Sequence, residues 1–306
     1  MEATENKNKT NGTSDGFSYS EYTVFPGITV SYVSSHTESG RKAERGAHGA
    51  EGGVFEIYHC REGRLECGVD GQLCYISEGD LMIVERKCLS PELSFPLRHY
   101  HGMIISINTA SAPECMSCFL QDVAVSPTAI EKKFCGEGGY FIARSNSSVE
   151  HIFSELYNVP DDIRLGYSKI KILELMLFLS VYKTVEGASS SKPVAPSQAS
   201  LAKSVAEYLA ENMDGRVTIG MAAKKFHVSE TALKTLFKAV YGVSFYSYIK
   251  TRKMESAAYM LEYTDKTVLE IANCHGYDNS SKFAVAFRSV KGMSPTEYRL
   301  ENAGDK

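Results

Sequence analysis

The sequence predicts an α+β chain of two domains, a strand-then-helix domain followed by an all-α domain. Three observations predict it. Short strands with Gly-rich turns fill residues 17–110, helical periodicity replaces them over 113–182, and an internal repeat occupies the final stretch. Many short strands closed by tight turns point to a sandwich or barrel. Between the domains, GASSSKPVAPSQAS at 187–200 is rich in Ser, Ala and Pro and has no apolar period, which marks a linker. The predicted boundaries are a disordered tail over 1–16, a first domain over 17–186, a linker over 187–199 and a second domain over 200–301. A chain of 306 residues is long enough for two cores.

In the first domain, Asp70-Gly71 between LECGV and QLCYI reads as a two-residue hairpin turn. Glu78-Gly79-Asp80 leads into a strand LMIVE, and a further strand covers 99–108. Helices are predicted over 113–123, 126–134, 149–157 and 168–185. In the last of these, Ile170, Leu173, Leu177 and Val181 lie on one stripe, and Ile172, Met176 and Leu179 on another. A helix with two apolar faces needs two partners, so the reading is one face on its own domain and the other on a second subunit. That predicts a homodimer through 168–185.

Lys171, Glu174 and Lys183 interrupt this run, which is too polar and too short to span a bilayer. The first sixteen residues are polar and do not read as a secretory leader. Eight cysteines without framework spacing suit reduced thiols, and the cytoplasm is the expected location, with no membrane partner.

The repeat is the sharpest signal. TIGMAAKKFHVSETALKTLFKAVYGVSFYSYI at 218–249 parallels TVLEIANCHGYDNSSKFAVAFRSVKGMSPTEY at 267–298. Ala223 matches Ala272 at an offset of 49, while Leu233/Phe283, Phe237/Phe287, Gly242/Gly292 and Ser244/Ser294 match at 50, so the second turn holds one extra residue. Thr218, Ser229 and Asp278 read as helix caps, and Thr267 with Glu270 has capping-box spacing. Ser294-Pro295-Thr296-Glu297 opens the last helix, and 244–261 forms a long helix joining the copies.

Each copy reads as a helix–turn–helix, whose second helix enters the DNA major groove while the first braces it. With Leu233, Leu236 and Phe237 inward, Glu230, Thr231, Lys234, Thr235 and Lys238 face outward. With Phe283 and Phe287 inward, the second copy presents Asn279, Ser280, Ser281, Lys282, Ala284, Val285 and Arg288. Thr and Lys can reach base edges or phosphate, whereas Ala284 and Val285 offer only apolar contact, so weaker base readout is expected from the second copy. Charge agrees: residues 1–196 carry 18 Lys+Arg against 25 Asp+Glu (−7), and residues 197–306 carry 15 against 12 (+3). The predicted partner is double-stranded DNA.

The strings YGVSFYSYIKTRKMESAAYML and IANCHGYDNSSKFAVAFRSVKGMSPTEYR resemble the AraC/XylS family of bacterial transcription regulators over about residues 200–300. Ile271-Ala272, Gly276-Tyr277, Phe283, Phe287, Gly292-Met293-Ser294-Pro295 and Tyr298-Arg299 carry the likeness. The resemblance implies a sensing and dimerising N-terminal domain, a cupin-like β-barrel followed by helices, with RNA polymerase as a further partner if the protein activates. Ala284 and Val285 depart from the polar side chains common at the second reading surface of the family.

Chemistry in the first domain is sparser. His99, His101, Met103, Ile105 and Ile107 share one strand face, and Phe55, Ile57 and His59 share another, so three imidazoles could line one cavity. A metal or anion site is the sharper reading, and histidines satisfied by backbone groups the plainer one. No carboxylate follows His101 at the distance a metal-using cupin needs, so neither metal nor cofactor is assigned and no enzyme is predicted. Cys115 and Cys118 form a lone CxxC, a redox-sensing alternative without a second ligand pair for zinc. Cys67 and Cys74 should face each other across the hairpin. For a small organic effector the candidate contacts are Phe55, Tyr58, His59, Tyr75, His99 and His101. A metal- or redox-sensing regulator, or a cupin-type enzyme with a DNA-binding tail, is the alternative.

Overall fold

In the computed structural model the described residues are 9–14, 16–41, 53–114, 125–136, 139–144, 147–183, 193–213 and 217–302. The chain divides into two compact units, Met1–Val194 and Ala195–Lys306. Among the described residues no helix is long and apolar enough to cross a membrane.

The first unit runs β1 (Lys9–Ser14), β2 (Phe17–Phe25), β3 (Ile28–Ser35), β4 (Ser39–Arg41), β5 (Val54–Val69), β6 (Gln72–Ser77), β7 (Asp80–Glu85), β8 (Leu89–Ser94), β9 (Tyr100–Asn108), α1 (Pro127–Cys135), β10 (Tyr140–Arg144), α2 (Ser147–Tyr157) and α3 (Arg164–Val181). Among the described residues all strand pairings are antiparallel, and one path runs β1-β2-β3-β9-β5-β7-β10. The path does not return on itself, so the sheet is open, which corrects the expected β-barrel and leaves the sandwich, the other reading of the strand pattern. The cause is β5. It pairs with β7 and β9 through its first half, shifts register between Cys60 and Glu62, and then pairs with β6 and β8. One long strand with a bulge thus carries the chain into a second layer, giving two stacked sheets.

Two cores follow from strand alternation. Phe55, Ile57, Met103, Ile105 and Ile107 point to one face, where Phe134, Ile152, Phe153, Ile172 and Met176 of α1, α2 and α3 cover them. Tyr58, Cys60, Ile104 and Tyr100 point to the other, against Leu65, Cys67, Cys74 and Phe95 of the second layer. The hairpin at Asp70-Gly71 has φ of 48° and 76°, the two left-handed residues that a type I′ turn requires. Its register puts Cys67 opposite Cys74, both buried.

Several expectations change. The predicted disordered tail 1–16 contains β1, whose polar residues 9–14 pair with β2 through backbone bonds that need no apolar side chain. Pro113 and Glu114 are not helical, and the rest of the predicted helix 113–123 lies outside the described residues, with Cys115 and Cys118. β10 was not foreseen among the helices. In α3, Ile172, Met176 and Leu179 are buried, while Ile170 is 62% and Val181 71% exposed, so the two stripes face core and outside as drawn. Residues 187–192 of the linker lie outside the described set; Val194 bridges to Leu73.

The second unit is helical: α4 (Pro196–Glu211), α5 (Ile219–Lys225), α6 (Glu230–Tyr241), α7 (Phe245–Tyr263), α8 (Val268–Cys274), α9 (Ser280–Lys291) and α10 (Pro295–Asn302). α4 begins inside the predicted linker, with Pro at its first turn where the missing N–H costs nothing.

Candidate nucleic-acid interface

Short helix, turn and longer helix occur twice in the second unit, as α5–α6 and α8–α9. Four residues separate the first pair and five the second, so the extra residue lies in the turn. Local chemistry fixes each end. Thr218 accepts a hydrogen bond from the Met221 amide at 3.3 Å and Ser229 from that of Ala232 at 3.1 Å. Thr267 and Glu270 make the reciprocal capping box. The cap of α9 is Asn279 rather than Asp278: its Oδ1 accepts from the Ser281 amide at 2.7 Å. The additional turn residue moves the helix start on by one, and the offset of 50 from Ser229 leads to the same position. α6 and α9 both end at a left-handed glycine, Gly242 at φ 75° and Gly292 at φ 79°.

The inward sides are dry. Leu233 and Phe237 of α6, and Phe283 and Phe287 of α9, are fully buried. Phe237 meets Phe245 and Tyr248 of α7 edge-on at 5.0 and 5.5 Å, and Phe283 meets Tyr277 at 5.6 Å. Packing therefore sets the rotation of each longer helix about its axis, and rotation sets what it shows to solvent.

Glu230, Thr231, Lys234, Thr235 and Lys238 of the first copy are all exposed. So are Asn279, Ser280, Ser281, Lys282, Val285 and Arg288 of the second, with Ala284 intermediate. Val285 is 72% exposed, an apolar side chain that none of the described residues of its own unit covers. Lys234 lies 4.0 Å from Glu230, an exposed pair worth little and easily exchanged for phosphate. Lys238 donates to the Gly242 carbonyl at 2.8 Å, at the negative end of its own helix dipole. α7, with 19 residues at 1.5 Å each, spans about 28 Å between the copies, somewhat less than one turn of B-DNA at about 34 Å.

The six candidate effector contacts do not line one cavity. Phe55 is sealed in the helix-covered core, and His59 stacks on Phe153 of α2 at 4.1 Å. Burial drives the His59 imidazole down to about 4, against the pull of Glu150. Tyr58 faces the opposite core and donates to Glu56 at 2.5 Å; Tyr75 donates to Glu66 at 2.5 Å. Alternation along β5 forces this separation of Phe55 and His59 from Tyr58. Only His99 and His101 stay together, at the end of β9, and the third ring beside them is His36 rather than His59. An open cleft of about 450 Å³ does exist in this unit, lined by Tyr32, Ser34, Arg61, Glu62, His101 and Tyr157 among others. It includes just one of the six. Long-range pairing of β3 with β9 creates it, and local periodicity carries no trace of that pairing.

Known proteins match the helical unit. The helix-turn-helix domain family matches residues 222–301. The Transposon Tn10 TetD protein of Escherichia coli is 33% identical over 97 residues, covering 32% of this chain and 70% of that protein. The HTH-type transcriptional activator AarP of Providencia stuartii is 27% identical over 107 residues, covering 35% of this chain and 79% of that protein. Among solved structures, the C-terminal domain of AraT, a response regulator from Geobacillus stearothermophilus, is 29% identical, covers 33% of this chain and 84% of that one, and has a TM-score of 0.32. The chain belongs to the AraC/XylS family of DNA-binding transcription regulators.

Proposed function

We propose that the protein regulates transcription in the cytoplasm by presenting α6 and α9 to successive major grooves of one DNA site, as a homodimer whose first unit senses a small molecule. The observation that carries the reading is the division of α6 and α9 into a fully buried aromatic side and an exposed polar one. On α6, Thr231, Lys234 and Thr235 read base edges, with Glu230 and Lys238 at their flanks. On α9, Asn279, Ser280, Ser281, Lys282 and Arg288 hold phosphate, while Ala284 and Val285 give at most a methyl contact. Reading therefore falls mainly to the first copy and anchoring to the second.

Titration of a labelled operator tests this. Lys234→Ala weakens specific binding by about tenfold, within the 1–3 kcal/mol of one base contact, and Ala284→Ser changes it less than twofold. Equal effects from the two variants would reject the division of labour.

Dimerisation draws support from the outer stripe of α3, where Ile170 and Val181 are exposed and Leu173 and Leu177 half-buried. Leu173→Glu and Leu177→Glu should each shift sedimentation toward the monomer. A full-length protein that sediments unchanged in both variants has its interface elsewhere. For the effector, the cleft beside His101 takes the place of the six-residue cavity. Ligand binding there that favours one arrangement of the dimer would change the population able to occupy two half-sites, and RNA polymerase contact follows if the protein activates.

A further inference from the structure

Three histidines distant in sequence meet at the end of the first sheet. β3 pairs with β9 so that Ser34 lies opposite His101 and Ser35 opposite Tyr100. The ladder ends there, and His36 and His99 are the next residues on the two chains, with His101 two positions beyond His99 on β9. The ring centroids are 5.4 Å apart for His36 and His99, 5.6 Å for His36 and His101, and 4.8 Å for His99 and His101. One ring nitrogen from each lies within 4.8 Å of the others. The bulge in β5 between Cys60 and Glu62 brings Glu62 opposite His101, and the Glu62 Oε2 sits 3.2 Å from His99 Nε2.

We propose that His36, His99 and His101 form a three-histidine site for a divalent transition-metal ion, best suited to zinc, with its remaining coordination position toward the adjoining cleft. Three imidazoles and no thiolate make a borderline donor set that suits zinc, copper or nickel and not magnesium or calcium. Zinc–nitrogen bonds of about 2.0–2.1 Å need donor atoms roughly 3.4 Å apart. His36 is exposed and His99 and His101 are intermediate, so an inward swing of about an ångström meets no packed core. Glu62 supplies what metal-binding imidazoles generally have, a carboxylate on the other ring nitrogen that fixes the proton there and leaves the remaining lone pair to the metal. The cleft reaches the same side chain, since His101 and Glu62 are part of its lining. Three ligands with a fourth position open is the pattern of sites that exchange a water for another ligand.

The experiment is calorimetric titration of the full-length, tag-free protein with zinc chloride, repeated with cobalt chloride to read the visible bands of a tetrahedral ion. One zinc per chain is expected, with affinity falling at least a hundredfold in His36→Ala and in His101→Ala. Glu62→Gln should lose about tenfold, the usual effect of removing such a carboxylate. His227→Ala, at an exposed histidine of the second unit, should bind as the parent does. Because His36 is exposed, its removal should leave the far-ultraviolet circular dichroism unchanged. No stoichiometric zinc at micromolar concentration overturns the proposal. So does zinc retained at parental affinity by His36→Ala, which would place the ion elsewhere, for instance on the free thiol of Cys274.

Discussion

The two units of short helix, turn and longer helix, α5–α6 and α8–α9, solve the same structural problem with different residues, and the difference separates what the geometry needs from what each copy does with it. Both keep a Thr cap on the short helix, a polar cap on the long one, buried side chains one turn apart and a left-handed glycine at the end. These are requirements of geometry. At the turn they diverge: the first copy holds His227 at φ 54°, whereas the second holds Gly276 at φ 76°. One residue earlier, the first has Phe226 against Tyr208 at 5.9 Å, and the second has the buried His275. On the outer face the first shows two Thr and two Lys, while the second shows two Ser, a Lys, an Arg and the exposed Val285. Structure is repeated; chemistry is not.

The largest expected effect lies in the cores. Phe283→Ala should cost about 3–5 kcal/mol and Leu233→Ala about 2–5 kcal/mol by chemical denaturation, since a larger side chain leaves a larger void. Phe283 also touches the Tyr277 and Phe287 rings at 5.6 and 5.8 Å, so the second copy should suffer more. A smaller loss at Phe283 than at Leu233 would mean that the second copy is the looser of the two.

Next comes the turn. A non-glycine residue in the left-handed region carries about 1–2 kcal/mol of strain, so His227→Gly should raise the melting temperature and Gly276→Ala lower it. Changes of the same sign would break the equivalence of the two turns.

The smallest effect concerns pH. Burial, followed by the Lys253 and Lys266 cations, depresses His275 below 6.5, although its bond to the Ile271 carbonyl acts the other way. A depressed imidazole binds its proton more readily when unfolded. Its contribution is therefore complete above pH 6.5 and is lost as pH falls from there toward the folded value. His275→Phe, which copies Phe226, should flatten the fall in stability between pH 6.5 and 5. An unchanged slope would show that His275 does not titrate on unfolding in that window.

What was legible in the sequence was local. Caps, glycine stops and the period of buried residues act over three or four positions, and the repeat displays them twice. The Asp70-Gly71 hairpin was legible for the same reason, and its register carried Cys67 to Cys74. What escaped depends on pairing across long separations. β1 is polar and pairs with β2 through its backbone; β10 sits between helices and joins β7; His36 meets His99 only because β3 pairs with β9. The closed barrel failed for a related reason, because the bulge in β5 leaves no mark in hydrophobic alternation. The apolar outer stripe of α3 was readable, since a helix displays its faces in its own sequence.

The central claim is that the outer faces of α6 and α9 are the surfaces that meet DNA. The direct measurement is binding of the full-length protein to random-sequence duplex across a series of salt concentrations. Neutralising phosphates makes affinity fall linearly with the logarithm of salt, by about 0.9 per phosphate contact. Lys282→Ala/Arg288→Ala should reduce that slope by about two, and Lys238→Ala, at the flank of the reading face, by about one. A slope identical to the parent's in both would contradict the account, because the DNA would then be held by some other face.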